Sequence, residues 1–328
     1  MERPLRREIL EAIAAIPAAS AACTTENTGD RAASAPASPP RGAGASRVLD
    51  DAPSRLLGHT GASVPVFSLG GEGVLRTRGR AKEAVPVILE ALRVGVRYCD
   101  TAPAYAESQD YYGAAFREAG KAARDGVFLA TKTHARDYDG ALRLLDDSLR
   151  RLGTDHVDLW QMHDLRDADD LDQMFGPGGA VAAAHRAKDE GRIRFIGITG
   201  HHDPAILVEA MRRHAFDTVL SAINPSDPRR MPFVPSVVAE ARRRGMGVIG
   251  MKALAAGALV SERATQPAEL LRYAASIADT VIIGCASPAE VRANAEAARA
   301  FAPMSEAERI ALEERIRPRA ERYDTFKA

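Results

Sequence analysis

From about residue 55 onward, short apolar runs alternate with longer stretches of helical period. The runs 66–71, 96–101, 127–132, 157–163, 194–199, 218–224, 247–252 and 280–285 read as strands, eight in all. Between them the period changes. Leu142, Leu145, Leu149 and Leu152 recur at i, i+3, i+7 and i+10, one face of a helix over 137–153 that Gly153 ends. Segments 180–191 and 236–245 close on Gly191 and Gly245 in the same way, and Ser287-Pro288 reads as an N-cap followed by a first helical residue. Strand–helix alternation of this kind predicts an α/β fold with a parallel sheet. A doubly wound open sheet would bring G-x-G-x-x-G after its first strand. Gly70-Gly71-Glu72-Gly73 lacks that spacing and no long helix follows it, so the pattern favours a (β/α)8 TIM barrel over 55–328, with a helical C-terminal tail.

Residues 1–54 follow neither period. The start carries Arg3, Arg6 and Arg7, then an alanine-rich stretch, then small residues before Cys23. That order is the order of an export signal over 1–23, and Arg6-Arg7 followed by Ile9-Leu10 has the twin-arginine form. Ser20-Ala21-Ala22-Cys23 is similar to a lipoprotein cleavage box, in which Cys23 would carry a lipid anchor. Glu11 interrupts the apolar stretch and Ser20 stands where an aliphatic residue is usual, so a plain tail on a cytoplasmic protein stays open. Residues 24–54, rich in Ala, Ser, Pro, Gly and Thr, read as a linker that cannot bury enough apolar surface to offset its ordering entropy.

Composition narrows the function classes. Lys+Arg and Asp+Glu both number 44, so the basic excess of a nucleic-acid binder is lacking. No apolar run is long enough to span a bilayer. Cys23, Cys99 and Cys285 lie far apart, without a C-x-x-C pair, which argues against a disulfide framework or a zinc or iron–sulfur site. Asp167, Asp169, Asp170 and Asp172 lack the EF-hand pattern and are expected to face solvent. No metal ligands are assigned.

Barrel chemistry sits at the C-terminal ends of the strands. There the second run ends in Asp100-Thr101-Ala102 with Tyr105 close behind, the third in Thr131-Lys132-Thr133, and the fourth in Gln161-Met162-His163. Singly, each has an ordinary explanation: Asp caps loops, Tyr packs, Lys is solvated, and His hydrogen-bonds in a core. Asp100, Tyr105, Lys132 and His163 together on one rim are hard to explain as packing.

These words resemble the aldo-keto reductase family. Gly95-Val96-Arg97-Tyr98-Cys99-Asp100-Thr101-Ala102-Pro103-Ala104-Tyr105, Ala130-Thr131-Lys132 and Asp158-Leu159-Trp160-Gln161-Met162-His163 carry the resemblance. Leu57-Gly58-His59-Thr60-Gly61 looks like the family's hairpin across the barrel bottom, and Gly191–Gly197 like the entry to its fifth strand. The likeness covers roughly 55–302. It implies an NAD(P)H-dependent oxidoreductase that acts on a small carbonyl or alcohol substrate. Tyr105 would be the general acid, Lys132 the cation that lowers its pKa, Asp100 the anchor of Lys132, and His163 the donor that orients the carbonyl.

In the family, the ends of strands five to eight hold the dinucleotide. The resemblance places Thr199 and Gly200 at the nicotinamide carboxamide, with His201 as a replacement for the side-chain amide that Gly200 lacks. Ser221 and Asn224 are the polar candidates after strand six. In the run Met251 to Leu254, Met251 stands where an aromatic residue usually stacks and Lys252 beside the pyrophosphate, and the loop Ala255-Ala256-Gly257-Ala258-Leu259 could let its amides approach phosphates. Gly284, Ser287, Glu290 and Asn294 fall on the adenosine side. Glu290 and Gly284 occupy the places of the basic residues that grip a 2′-phosphate, which points to NAD(H) rather than NADP(H).

Two other readings keep the barrel: a cofactor-binding regulatory module with little turnover, and a lyase that uses Lys132 as a Schiff-base nucleophile. Loop 165–179 is expected to be flexible and to place Met174 and Phe175 as an apolar wall for substrate.

Overall fold

The computed structural model describes residues 47–263, 265–323 and 327. The predicted export signal, the lipid-anchor position Cys23 and most of the predicted linker lie outside the described residues.

A hairpin comes first, β1 (Ser54–Leu56) antiparallel to β2 (Ser63–Pro65). Eight parallel strands follow: β3 (Phe67–Gly73), β4 (Tyr98–Asp100), β5 (Phe128–Thr133), β6 (Val157–Met162), β7 (Ile193–Gly200), β8 (Thr218–Ala222), β9 (Gly247–Met251) and β10 (Thr280–Cys285). They close in chain order, β10 pairing with β3. This is the predicted (β/α)8 barrel, and each of the eight predicted strands is present.

The helices obey the local signals. Helix Tyr138–Leu152 starts where the Asp137 side chain accepts from the Gly140 N–H and stops at Gly153, whose φ of 67° is left-handed. Its Leu145 and Leu152 are buried against the barrel. Helix Pro288–Arg299 is capped by Ser287, as predicted.

Register explains the barrel interior. Side chains alternate along a strand, and Tyr98, Phe128, Ala130 and Leu159 form one apolar cluster with Leu57, Leu220, Ile249 and Met251. Leu57, from the hairpin turn, plugs the bottom of this cluster. Gly58 takes a φ of 52°, and a Cβ there would stand 2.2 Å from the Gly247 nitrogen, so only glycine lets the turn press against β9. One alternation further up, the same strands present Asp100, Lys132 and Gln161. Lys132 pairs in register with Gln161, which stacks a polar layer on the apolar one.

Two expectations are corrected. The linker does not run to residue 54: Leu49 and Ala52 are buried in the outer core, and Asp50 accepts from Arg97 at 2.9 Å. The apolar pair Val48-Leu49 supplies enough burial to dock this end. Segment 165–179 is not a flexible loop, because helix Ala168–Phe175 forms in it, capped by the Asp167 side chain. Met174 enters the core between barrel and helices, and Phe175 packs beside Phe216, so both are spent on outer-layer packing. Asp167, Asp169 and Asp172 are exposed, while Asp170 is held by Arg136 at 2.7 Å.

Candidate active site

The polar layer opens at the C-terminal rim. Lys132 and Asp100 are both fully buried and form an ion pair. Lys132 also donates to the Thr101 carbonyl at 3.0 Å, and Gln161 donates to the second Asp100 oxygen at 3.1 Å. Burial lifts the Asp100 carboxyl above its ordinary value, opposed by Lys132 and Gln161. Burial also works against the Lys132 ammonium, but the adjoining Asp100 and Tyr105 outweigh it, so Lys132 titrates above a free lysine and stays charged.

Tyr105 lies in the loop after β4. Its amide donates to the Ala102 carbonyl at 3.1 Å, and its own carbonyl accepts from the Ser108 amide at 2.9 Å. The Lys132 ammonium is 4.6 Å from the centre of its ring. The His163 ring stands edge-on to it, centroids 5.6 Å apart at 83°. The expected lowering of the Tyr105 pKa is not the net result. Burial pushes the phenol up, and Lys132 offsets only part of that rise because the Asp100 and Glu72 carboxylates work in the opposite sense. His163 is held well below the usual imidazole range, by burial first and by the Lys132 charge second, so the ring is neutral.

Sequence reasoning missed several neighbours of these four. Gln161 precedes His163 by two residues and so shares its face of β6, a signal that alternation could have supplied. Arg76 also lies over the Tyr105 ring, 5.1 Å from its centre. Arg136 donates to the His163 carbonyl at 2.9 Å and fixes the strand end. Next to it, Asp164 and His202 meet His201, the residue expected at the carboxamide and found against Asp164 at 3.2 Å, so a carboxylate and two imidazoles come together across the ends of β6 and β7.

The cofactor candidates divide into two groups. Thr199, Gly200 and Ser221 adjoin on β7 and β8, Gly200 in register with Ser221. Ser221 Oγ and Asn224 Nδ2 are buried side-chain atoms without a hydrogen-bond partner. Leu220 faces the barrel interior, so Ser221 beside it turns to the helix layer, against the expected cofactor contact, while the unused Asn224 Nδ2 past the strand end suits an amide-bearing ligand such as a nicotinamide carboxamide. Met251 faces the barrel interior. Lys252 has a φ of 55° and reaches Glu72 at 3.5 Å, and Glu72 also accepts from Arg76 at 2.9 Å. In the loop beyond, Leu254 is half-buried against the outer core, and the Ala255 and Gly257 amides donate back to the Lys252 and Leu254 carbonyls. Those two amides are therefore satisfied within the turn and not presented to phosphate as expected.

The adenosine-side candidates are turned to local tasks. A Cβ on Gly284 would stand 2.6 Å from the Glu72 carbonyl carbon, so this glycine serves the β3–β10 contact. Asn294 is buried and donates to Cys285 Sγ at 3.5 Å. Ser287 accepts from the Glu290 amide, and the Glu290 carboxylate accepts from the Ala286 amide at 2.8 Å. Arg292 points to Glu90, at 3.2 Å.

Known proteins agree with this geometry. The profile of the Aldo/keto reductase family matches residues 67–269. L-galactose dehydrogenase of Arabidopsis thaliana is 29% identical over 228 residues, 63% of this chain and 67% of that enzyme. Glycerol 2-dehydrogenase (NADP(+)) of Saccharomyces cerevisiae is 35% identical over 116 residues, 35% of each chain, so that match spans about a third of the relative. Among solved structures, an aldo-keto reductase of Bacillus halodurans in its holo form superposes with a TM-score of 0.67 at 23% identity, covering 80% of this chain and 96% of that one. A Bombyx mori aldo-keto reductase in complex with NADP gives 0.63 at 19%, covering 80% and 92%. The matched profile and the closed eight-stranded barrel place this chain in the aldo/keto reductase family, whose members are nicotinamide-dependent carbonyl oxidoreductases.

Proposed function

We propose that this chain reduces an aldehyde or ketone, or oxidises the matching alcohol, with Tyr105 as the proton donor. The observation that carries the reading is the set Asp100–Lys132–Tyr105–His163 on three adjacent strand ends, its first three members buried. A bound nicotinamide supplies the hydride to the carbonyl carbon. Tyr105 gives its hydroxyl proton to the carbonyl oxygen. Because the phenol is raised, that proton stays on the ring until negative charge develops on the substrate. Lys132 then faces a tyrosinate, and its ammonium stabilises that charge at short range. Asp100 keeps Lys132 protonated and in place. Neutral His163 offers a ring N–H to the substrate oxygen and orients it.

Thr199 and Asn224 would hold the carboxamide, Met251 would pack on the nicotinamide, and Lys252 would meet the pyrophosphate. Ser287, at the start of a twelve-residue helix, would offer a partly positive helix end to the adenosine side of the cofactor. The Schiff-base alternative is disfavoured because Lys132 is held charged, and an ammonium has no lone pair for attack.

The test is consumption of reduced cofactor by the full chain over a panel of aldehydes, ketones and sugars. Turnover that follows added carbonyl supports the reading. Tight cofactor binding with no turnover on any of them would favour a regulatory module.

A further inference from the structure

The geometry points to a binding site for one divalent first-row transition ion on the barrel rim, with Asp164, His201 and His202 as its protein ligands. Asp164 follows β6, and His201 and His202 follow the adjacent β7. The two loops are tied together where the Leu165 amide donates to the Thr199 carbonyl at 2.9 Å. Asp164 Oδ1 lies 3.2 Å from His201 Nε2 and 3.1 Å from His202 Nε2. One ligand atom from each of the three falls within 4.8 Å of the others. Ligands bound at about 2.1 Å around a tetrahedral ion lie roughly 3.4 Å apart, and both Asp164–histidine separations already stand within a few tenths of an ångström of that spacing.

The ligand chemistry selects the ion. Two imidazoles with one carboxylate suit Zn²⁺, Co²⁺, Ni²⁺ or Fe²⁺, whereas Ca²⁺ and Mg²⁺ prefer oxygen ligands throughout. The outer contacts suit a metal as well. Arg166 binds the other carboxylate oxygen, Oδ2, through Nε at 3.1 Å and Nη2 at 2.8 Å. It thereby orients the carboxylate with Oδ1 toward the histidines, the part that second-sphere groups play in metal sites. Arg136 holds the Asp164 carbonyl at 3.3 Å and the preceding His163 carbonyl at 2.9 Å, so the ligand loop is braced at its root. The three side chains are about one-fifth exposed, 20%, 21% and 19%, which lets an ion enter from solvent. Three protein ligands leave room for water at the remaining position.

The site adjoins the proposed reductase centre but does not rest on that reading, and its test does not use activity. The purified full chain is stripped with a chelator, then titrated with Zn²⁺ by calorimetry and with Co²⁺ by visible absorption. One equivalent of each is expected, with Co²⁺ ligand-field bands of low coordination number and a rise in the unfolding temperature on adding Zn²⁺. His201→Gln and His202→Gln should each weaken Zn²⁺ at least tenfold, the scale that outer-sphere changes alone can reach. Asp164→Asn keeps an oxygen acceptor for both rings, so metal loss in that variant with an unchanged metal-free melting curve separates ligation from packing. Equal Zn²⁺ affinity in the wild type and the His201→Gln/His202→Gln double variant would overturn the proposal. So would failure of the folded wild type to retain Zn²⁺ after dialysis, since the cluster would then be a hydrogen-bonded one only.

Discussion

Gly71 and Tyr105 are in direct contact: a Cβ built on Gly71 would stand 2.6 Å from Cδ2 of the tyrosine ring. The same atom would lie 3.0 Å from the Asp100 carbonyl oxygen and 3.2 Å from Ser108 Oγ. Backbone on one side and a buried hydroxyl on another leave the ring as the part that must move. Gly71 is thus the wall against which the proposed acid is positioned. In Gly71→Ala the ring is displaced, and misplacement by about 1 Å can cost ~10²-fold in rate. The expected outcome is a fall in kcat of at least tenfold with the chain still folded by circular dichroism. Wild-type turnover would show that Tyr105 tolerates the shift or does not act.

Tyr105→Phe tests the proton itself. The ring and its packing are kept, and only the hydroxyl is lost. Removal of a general acid costs typically 10²–10⁴-fold, so kcat for carbonyl reduction should drop by at least ~10². Titration of reduced cofactor should give nearly the wild-type affinity. A variant that turns over at the wild-type rate removes Tyr105 from the mechanism.

Much of this was legible along the chain, for a physical reason. Parallel barrel strands are covered on both faces and read as continuous apolar runs, so all eight stood out. Asp100, Lys132 and His163 broke such runs at their ends, which is where a barrel puts chemistry. What was not legible depends on contacts between distant segments. Gly71 meets Tyr105 and Glu72 meets Lys252 across the rim, and Asp164 meets His201 and His202 only because β6 and β7 pair. Glu290 is a different case. Ser287 and Glu290 have the spacing of a capping box, and the local role in the helix start competes with a ligand role that the resemblance suggests.

Acid sensitivity should trace in part to His163. Burial and the nearby Lys132 charge keep its ring neutral in the folded chain. The unfolded chain takes up a proton there below about pH 6.5, the ordinary imidazole value. Stability from this residue is therefore intact above that pH and is lost as pH falls toward the native pKa, by up to about 1.4 kcal/mol per pH unit. His214 is also depressed, by burial and then His185, and being half exposed adds a smaller slope of the same sign. Urea unfolding of wild type and His163→Gln between about pH 5 and 7 isolates the difference. The variant should show the shallower pH profile, and coincident profiles would assign the acid loss elsewhere.

Export is testable at the other end of the chain. If residues 1–23 are a twin-arginine lipoprotein signal, Arg6→Lys with Arg7→Lys should leave the protein in the cytoplasm, and Cys23→Ser should abolish lipid attachment. Fractionation and mass spectrometry of protein from native cells read both. Unprocessed chain beginning at Met1 in the soluble fraction would mark a cytoplasmic enzyme.

Cofactor choice turns on the adenosine side. A 2′-phosphate carries nearly two negative charges and calls for cationic partners. The one described arginine close to Glu290 in sequence, Arg292, is drawn to Glu90 on helix Ala81–Val94 instead. Glu290 itself is exposed, with one carboxylate oxygen on the Ala286 amide, and it would repel phosphate while still able to accept from a ribose hydroxyl. Lys252 does not change the balance, because it is paired with Glu72 and belongs to the pyrophosphate part that both cofactors share. NADH should therefore bind more tightly than NADPH, although two relatives are named with NADP. Glu290→Arg should reverse this by removing a repulsion and adding a charged donor. A hydrogen bond to a charged group contributes about 1.5–3 kcal/mol, which corresponds to roughly ten- to a hundredfold in NADPH affinity. Fluorescence titration of both reduced cofactors against both proteins measures the two effects. Tighter NADPH binding by the wild type, unimproved in Glu290→Arg, would place the 2′-phosphate away from residue 290 and assign its recognition to another part of the rim.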